Sequence, residues 1–561
     1  MSEISAALQA GEKNIIVKIK KGTYFYSEGH LAFKEIHRPD VDIRIVGNNA
    51  TLVPLGWELR NNDEIPCEVT GASCFVNIKN KQSILPWSDV MYADELVEVI
   101  DLTTKQCRLK CEALGGLYVP EENLAYIELT RWCRCYQYKV LKIDNGYIDF
   151  YAHDLEKDNV FGTKHYNVNY DYVVGEKPPR FRLCNVDENE RVSVINRKVK
   201  LYKYIKSVYL GNASNFLTID ESQFRQFILN GITFLGNKPE GEALIKIRNS
   251  RPVNLEICNC FFIGQRGEII KEEYGNNLYF HDNYVSDNYV WGIDINSSSS
   301  NTIVENNIFE NNGLGLSYAR CVSCSGDNYF IARNKFKNFG YCAISIGAWY
   351  GIKNRVPARG IVEYNEIWYD RKYYEEAWKH TIMDSGAIYV WTLNEQAIIR
   401  YNYIHDYIGM GQNRGIYLDD GAHHVAVYGN IVVNTPACHA IGSRRVARTE
   451  RGKNIVSYSE KNNINNYIAY NITDGTVNFV GNEDKKNGCI MGRNILLSTD
   501  SGRIVTHKYR AEQKQIEVKA LDIKIDSFAH DVNGIVLKEK EYEQVKTIPI
   551  SDNVSQWIRV E

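Results

Sequence analysis

Four carboxylates sit close together in the stretch 380–434: Asp384, Asp406 and the adjacent pair Asp419-Asp420. Two carboxyl groups flanking a glycosidic bond suffice to hydrolyse it, one protonating the leaving oxygen and the other attacking the anomeric carbon or activating water. Like charges in a partly dry groove also push one member of a pair toward its protonated form. Five of the chain's twelve histidines, His380, His405, His423, His424 and His439, lie in or just beside this stretch. Tyr389, Trp391 and Tyr417 add aromatic faces of the kind that hold sugar rings, and Glu395 follows Trp391. Each residue taken alone has a plainer reading. An Asp after a strand commonly forms a turn by bonding nearby backbone, and a lone His is most often a satisfied hydrogen-bonding group.

These residues are carried by a repeat. Asparagine followed by an apolar residue recurs at Asn259, Asn283, Asn307, Asn334, Asn365, Asn402, Asn430, Asn466 and Asn494, at steps of 24, 24, 27, 31, 37, 28, 36 and 28 residues. A near-constant minimum with variable excess means one structural unit per turn plus loops of different length. A second series interleaves with it: GIDIN at 292–296, GLGLS at 313–317, AISIG at 343–347, GAIYV at 386–390 and GIYLD at 415–419. Alternation sends Ile293/Ile295, Leu314/Leu316, Ile344/Ile346, Ile388/Val390 and Ile416/Leu418 inward. Asp294, Asn296, Ser317, Ser345, Tyr389 and Tyr417 then share the outer face, as a shallow polar and aromatic groove. Stacked Asn side chains can hydrogen-bond from coil to coil, which gives a solenoid a reason to repeat Asn at a turn.

Short strands at this spacing specify an all-β chain, a right-handed parallel β-helix. The Leu/Asn spacing of leucine-rich repeats is absent. The expected organisation is an N-terminal cap and first coils over 1–63, an inserted β-rich domain over 64–204, the main helix over 205–500, and C-terminal coils and cap over 501–561. The insertion is read from a change of rhythm: AYIELTRW (125–132), YQYKVLKI (136–143) and GYIDFYA (146–152) are joined by short turns. Asn145-Gly146 between two of them predicts a tight hairpin needing positive φ at both residues.

Composition narrows the partners. With 44% hydrophobic and 24% charged residues the chain is an ordinary globular one. A net charge of −3 from 66 basic and 69 acidic residues argues against a dominant nucleic-acid or anionic-membrane surface. Residues 1–21 lack the basic start and apolar core of a signal peptide, and no apolar run reaches membrane length. The expectation is a soluble, cytoplasmic protein, or a secreted one if a signal peptide has been removed. Its partner is a carbohydrate substrate, with no nucleic acid, membrane or cofactor, and the sequence leaves oligomeric state open. The 14 Cys are scattered, and Cys258, Cys260 and Cys342 fall in strand-like segments, so reduced packing cysteines are expected. Cys133/Cys135 and Cys321/Cys324 have no second pair at zinc-finger spacing, so no metal is expected.

DSGAIY, then IRYNYIHD, then RGIYLDDG…VYGNIVVN resembles the central motif of right-handed β-helix glycoside hydrolases such as families 120 and 141. The resemblance extends to the small β-rich domain inserted after the first coils. It implies a glycosidase acting through an acidic pair on a xyloside, fucoside or galactoside type of substrate. Carried over by position, Asp384 matches the acidic residue opening the DGGAIY-type motif, with Ser385 where Gly is common. Asp419 or Asp420 matches the acidic position of the YLDD motif, and in some relatives the second carboxylate falls nearer Asp406. The partner of Asp384 therefore stays open among Asp406, Asp419 and Asp420. Strand length bears on the choice: seven residues at about 3.3 Å each would separate Asp384 from Asp419 by roughly 20 Å. Tyr389, Trp391, His405, Tyr417, His424 and Glu395 are the expected substrate-binding residues.

Two other chemistries fit the same fold. A polysaccharide lyase or uronate epimerase needs a cation or Arg beside a base, and Arg414, Arg444 and Arg445 are available. A non-catalytic sugar-binding solenoid needs neither, but gives no reason for loops to lengthen around the acidic coils.

Overall fold

A computed structural model describes the chain chiefly over residues 2–60, 91–152, 180–184, 207–211 and 215–506, with gaps in connecting loops and across 436–452, 459–465 and 481–489. The main body is a right-handed parallel β-helix. Each coil contributes three strands, as in Cys342–Ile346, Ala358–Glu363 and Glu366–Trp368, and each pairs in parallel with its counterpart one coil on. No helix of the described residues is long and apolar enough to cross a membrane.

The interior is built by alternation. Ile293, Val322, Ile344, Ile388 and Ile416 stand in register and fully buried. Behind them Phe234, Phe262, Phe280, Phe309 and Phe336 form a continuous column, with successive centroids 5.2, 5.8, 6.5 and 4.7 Å apart. One expected strand is displaced. The coil between Ile293–Ile295 and Cys342–Ile346 uses Arg320–Cys324, so Val322 and Cys324 point inward and Ser323 outward. GLGLS does not supply this strand; its residues 314–317 lie outside the described residues. RCVSC alternates equally well, and only register against the neighbouring coils chooses between them.

The asparagine ladder runs through Asn283, Asn307, Asn334, Asn365, Asn402, Asn430 and Asn471, all at 2% exposure or less. Each side chain accepts from the backbone N–H of the preceding rung, Asn365 N–H to Asn402 Oδ1 for instance at 3.1 Å. Its amide in turn donates to a carbonyl of the previous coil, as Asn402 Nδ2 does to Val362 O at 3.0 Å. The residue just before each rung takes the left-handed conformation, among them Asp282, Asn306, Arg333, Tyr364, Tyr401 and Tyr470. Two expected rungs are corrected. Asn259 is itself the left-handed residue (φ 53°), and Cys260 takes the rung, donating its N–H to Asn283 Oδ1. Asn466 bonds Ala422 O and Val425 N instead, and Asn471 is the rung. Asn494 lies outside the described residues.

An insertion interrupts the second coil, between His37–Pro54 and Leu217–Asp220, which stack on the first. Leu31–Lys34 pairs in parallel with Leu217–Asp220 although about 186 residues separate them, and Gly56–Arg60 pairs antiparallel with Ser207–Gly211 where the chain leaves and returns. Between them lies an antiparallel eight-stranded sheet drawn from Met91 to Cys184. Its Tyr147 hairpin turns at Asn145 (φ 49°) and Gly146 (φ 83°). At the N-terminus the helix Ser2–Gln9 ends under Arg38, whose Nη1 donates to Leu8 O at 2.9 Å, a cation satisfying late helical carbonyls. At the other end Ile504–Thr506 pairs antiparallel with Ile495–Leu497, ending the parallel order among the described residues. The expected cap beyond Thr506 lies outside them.

Candidate active site

The expected site residues divide between two ends of one pair of strands. Gly386–Val390 and Arg414–Leu418 are parallel neighbours, with Tyr389 beside Tyr417 and Val390 beside Leu418. Gly386 has no room for a side chain: a Cβ there would lie 2.9 Å from Tyr417 Cβ and from Ile388 O.

At the C-terminal end of these strands stands Asp419. Its N–H donates to Val390 O at 2.8 Å, its carbonyl accepts from Ala422 N–H at 2.8 Å, and its carboxylate accepts from the Tyr389 hydroxyl. The Tyr389 and Tyr417 rings meet edge to face at 4.9 Å, and the Arg414 guanidinium lies over Tyr417 at 3.9 Å. Tyr389, Tyr417 and Arg414 are each 3% exposed or less. The shallow groove expected on this face is therefore closed here, from Ser323 through Ser345 to the two tyrosines. His424 follows in the same turn, partly exposed and left-handed (φ 56°).

Around the N-terminal end of the same strands stands the other group. Asp406 follows strand Tyr403–His405, which belongs to the other sheet. Its backbone is a turn-former, left-handed (φ 47°) like Asp287, Asn311 and Asn338 at the corresponding corner of earlier coils. Its side chain does something else: Asp406 Oδ2 lies 2.7 Å from His405 Nδ1, and His405 Nε2 lies 3.5 Å from Glu366 Oε1 on the neighbouring coil. Trp368 stacks on the imidazole at 5.8 Å (7°) and Tyr403 at 4.2 Å (21°). Burial alone would lower the His405 pKa. The hydrogen bonds and charges of Asp406 and Glu366 outweigh it, so the imidazole titrates above its usual 6.5.

Under this corner Phe339, Tyr369, Tyr373 and Tyr407 pack as one aromatic cluster, with Phe339 stacked on Tyr407 at 5.5 Å. Tyr407, next to Asp406, shares a 3.0 Å hydrogen bond with the hydroxyl of Ser385, which immediately precedes the strand Gly386–Val390. Asp384, Trp391 and Asp420 lie outside the described residues, as do His380, His423 and His439; of Glu395 only the strand backbone is described. Thus His405 and Asp406 are brought together, Tyr389, Tyr417 and Asp419 are brought together, and the two groups are held apart.

Glu366 was not singled out in the sequence, because it meets His405 only through the register Trp368↔His405 across a coil. Glu268 and Asp294 were likewise unread as a pair. Burial, and secondarily the charge of Asp294, pushes the Glu268 carboxyl up to about 7, and burial also raises Asp294.

No family model matches the chain, and no curated protein matches it. Among solved structures, one described as a glycoside hydrolase aligns over 88% of this chain and 92% of its own at 11% identity, TM-score 0.48. The complex of XylC with xylose aligns over 84% and 66% at 11% identity, TM-score 0.23. The Gp54 tailspike of Acinetobacter baumannii bacteriophage AP22, solved with a capsular saccharide, aligns over 88% and 76% at 8% identity, TM-score 0.19. At such scores the site must be read from its own residues.

Proposed function

We propose that the protein is a glycoside hydrolase whose catalytic pair is Asp384 and Asp406. The observation that carries this reading is the Ser385–Tyr407 hydrogen bond of 3.0 Å. It joins the residue after one carboxylate to the residue after the other, whereas Asp419 stands at the far end of the strand. An imidazolium between Asp406 and Glu366 keeps Asp406 as an ion pair, the form of a base or nucleophile. Protonation of the leaving oxygen then falls to Asp384. Trp368 supplies an aromatic face beside the reacting group. Separation of the two carboxyls sets the stereochemistry: about 5 Å gives retention through a glycosyl-enzyme, and a wider gap with room for water gives inversion.

The test is a panel of aryl xylosides, fucosides, galactosides and arabinosides. Turnover of at least one, abolished in Asp384→Asn and Asp406→Asn variants that keep their strand circular dichroism, is the expected outcome. Inertness across the whole panel would refute the reading. A second reading is a uronate lyase, which needs a cation open to the substrate near a base, whereas Arg414 over Tyr417 is buried. An unsaturated product absorbing in the ultraviolet would establish it in place of the first.

A further inference from the structure

The sheet that carries His405 holds a second carboxylate–imidazole–carboxylate group several coils earlier, and there the neighbouring position is a cysteine. On strand Leu255–Cys258 the outward residues Glu256 and Cys258 are two apart, and Cys258 stands beside His281 on strand Asn276–His281. His281 Nδ1 lies 2.7 Å from Asp282 Oδ2. An ionised carboxylate only accepts, so Nδ1 carries the proton of this bond and Nε2 is the ring nitrogen turned toward Glu256. This Nε2 is buried without a hydrogen-bond partner among the described residues and lies 3.4 Å from Glu256 Oε1. The Cys258 Sγ is 3.6 Å from the same Oε1, and all three atoms lie within 4.8 Å of one another.

We propose that Glu256, Cys258 and His281 bind a Zn²⁺-class transition-metal ion. Tetrahedral coordination with a metal–sulfur bond near 2.3 Å and metal–N and metal–O bonds near 2.0 Å puts N···O edges at about 3.3 Å and S···O edges at about 3.5 Å. The observed separations of 3.4 and 3.6 Å already match. The surroundings orient the ligands. Asp282 fixes the histidine tautomer, as an outer-shell carboxylate does in zinc sites. Gln226 Nε2 holds the other oxygen of Glu256, Oε2, at 3.0 Å, and Tyr279 stacks on the imidazole at 3.9 Å. Thiolate, imidazole and carboxylate together favour zinc over calcium or magnesium, and binding releases the Cys258 proton to solvent. In the His405 group, on a neighbouring column of strands, the residue in register with the histidine is Trp368 rather than a cysteine, so that group lacks the soft ligand. The proposal does not depend on the glycosidase reading.

Titration of the chelator-treated full chain with Co²⁺ tests it. One equivalent should bind with a thiolate-to-cobalt charge-transfer band and tetrahedral visible absorption, both displaced by Zn²⁺. Cys258→Ser should lose the charge-transfer band, and Asp282→Asn should weaken binding about 10–100-fold. Glu256→Gln, which leaves every thiol in place, should also weaken it by at least about 10-fold and serves if Cys258→Ser fails to fold. No band in the wild type, or a band undiminished in Cys258→Ser or Glu256→Gln, would overturn the proposal.

Discussion

Inside the solenoid one carboxylic acid faces the hydrocarbon. Glu272 stands in register with Ile247 and Ile295, 1% exposed, with no hydrogen-bond partner for Oε2 among the described residues. Burial pushes its carboxyl from the ordinary 4.5 up to about 8. Between those values the folded state binds one more proton than the unfolded chain, so stability falls as pH rises. At 1.36 kcal/mol per pH unit the loss accumulates to roughly 5 kcal/mol above pH 8 and vanishes below about pH 4.5. Glu272→Gln cannot ionise. It should therefore match the wild type near pH 4 and exceed it by several kcal/mol at pH 9. Because solenoids open locally, hydrogen exchange of the coils around 245–324 is the better assay, with urea midpoints as support. Parallel pH profiles for the two proteins would refute the reasoning, by showing that Glu272 reaches water or a partner.

Two further perturbations probe the scaffold and the site. Asn402→Asp keeps the shape of a ladder rung but cannot donate to Val362 O and Arg400 O, while Asn430 Oδ1 still accepts from the Asn402 N–H; at about 1–3 kcal/mol per group left unsatisfied it should lose roughly 2–6 kcal/mol in denaturation and most turnover, while Asn283→Asp, several coils away, should spare turnover. His405, raised above 6.5, contributes stability that is complete below that value and lost as pH rises through its folded pKa; in a Glu272→Gln background, His405→Gln should remove that slope from the pH–stability curve.

The sequence disclosed the solenoid because its two signals, inward alternation and asparagine at a turn, repeat in every coil. It misplaced rungs where one Asn satisfied two signals at once. Asn259 fits the left-handed turn position as well as the rung, and only the N–H of Cys260 meeting Asn283 decides between them. GLGLS and RCVSC alternate alike, and pairing with Ile293 and Ile344 picks the second. The partners of His405 and His281 were hidden for another reason. Glu366 and Glu256 reach them across coils, and the distance along the chain depends on loop length rather than on any motif. The tyrosines of GAIYV and GIYLD were legible as neighbours. Their burial was not, because alternation tells which side of a sheet a residue faces and not what covers that side.

The most direct test of the account is kcat/KM for Asp406→Asn against Asp419→Asn on whichever aryl glycoside the wild type turns over. The pairing of Asp384 with Asp406 predicts a loss of about 10³-fold or more in Asp406→Asn and a far smaller loss in Asp419→Asn. Near-normal activity in Asp406→Asn, with Asp419→Asn inactive and folded, would contradict it.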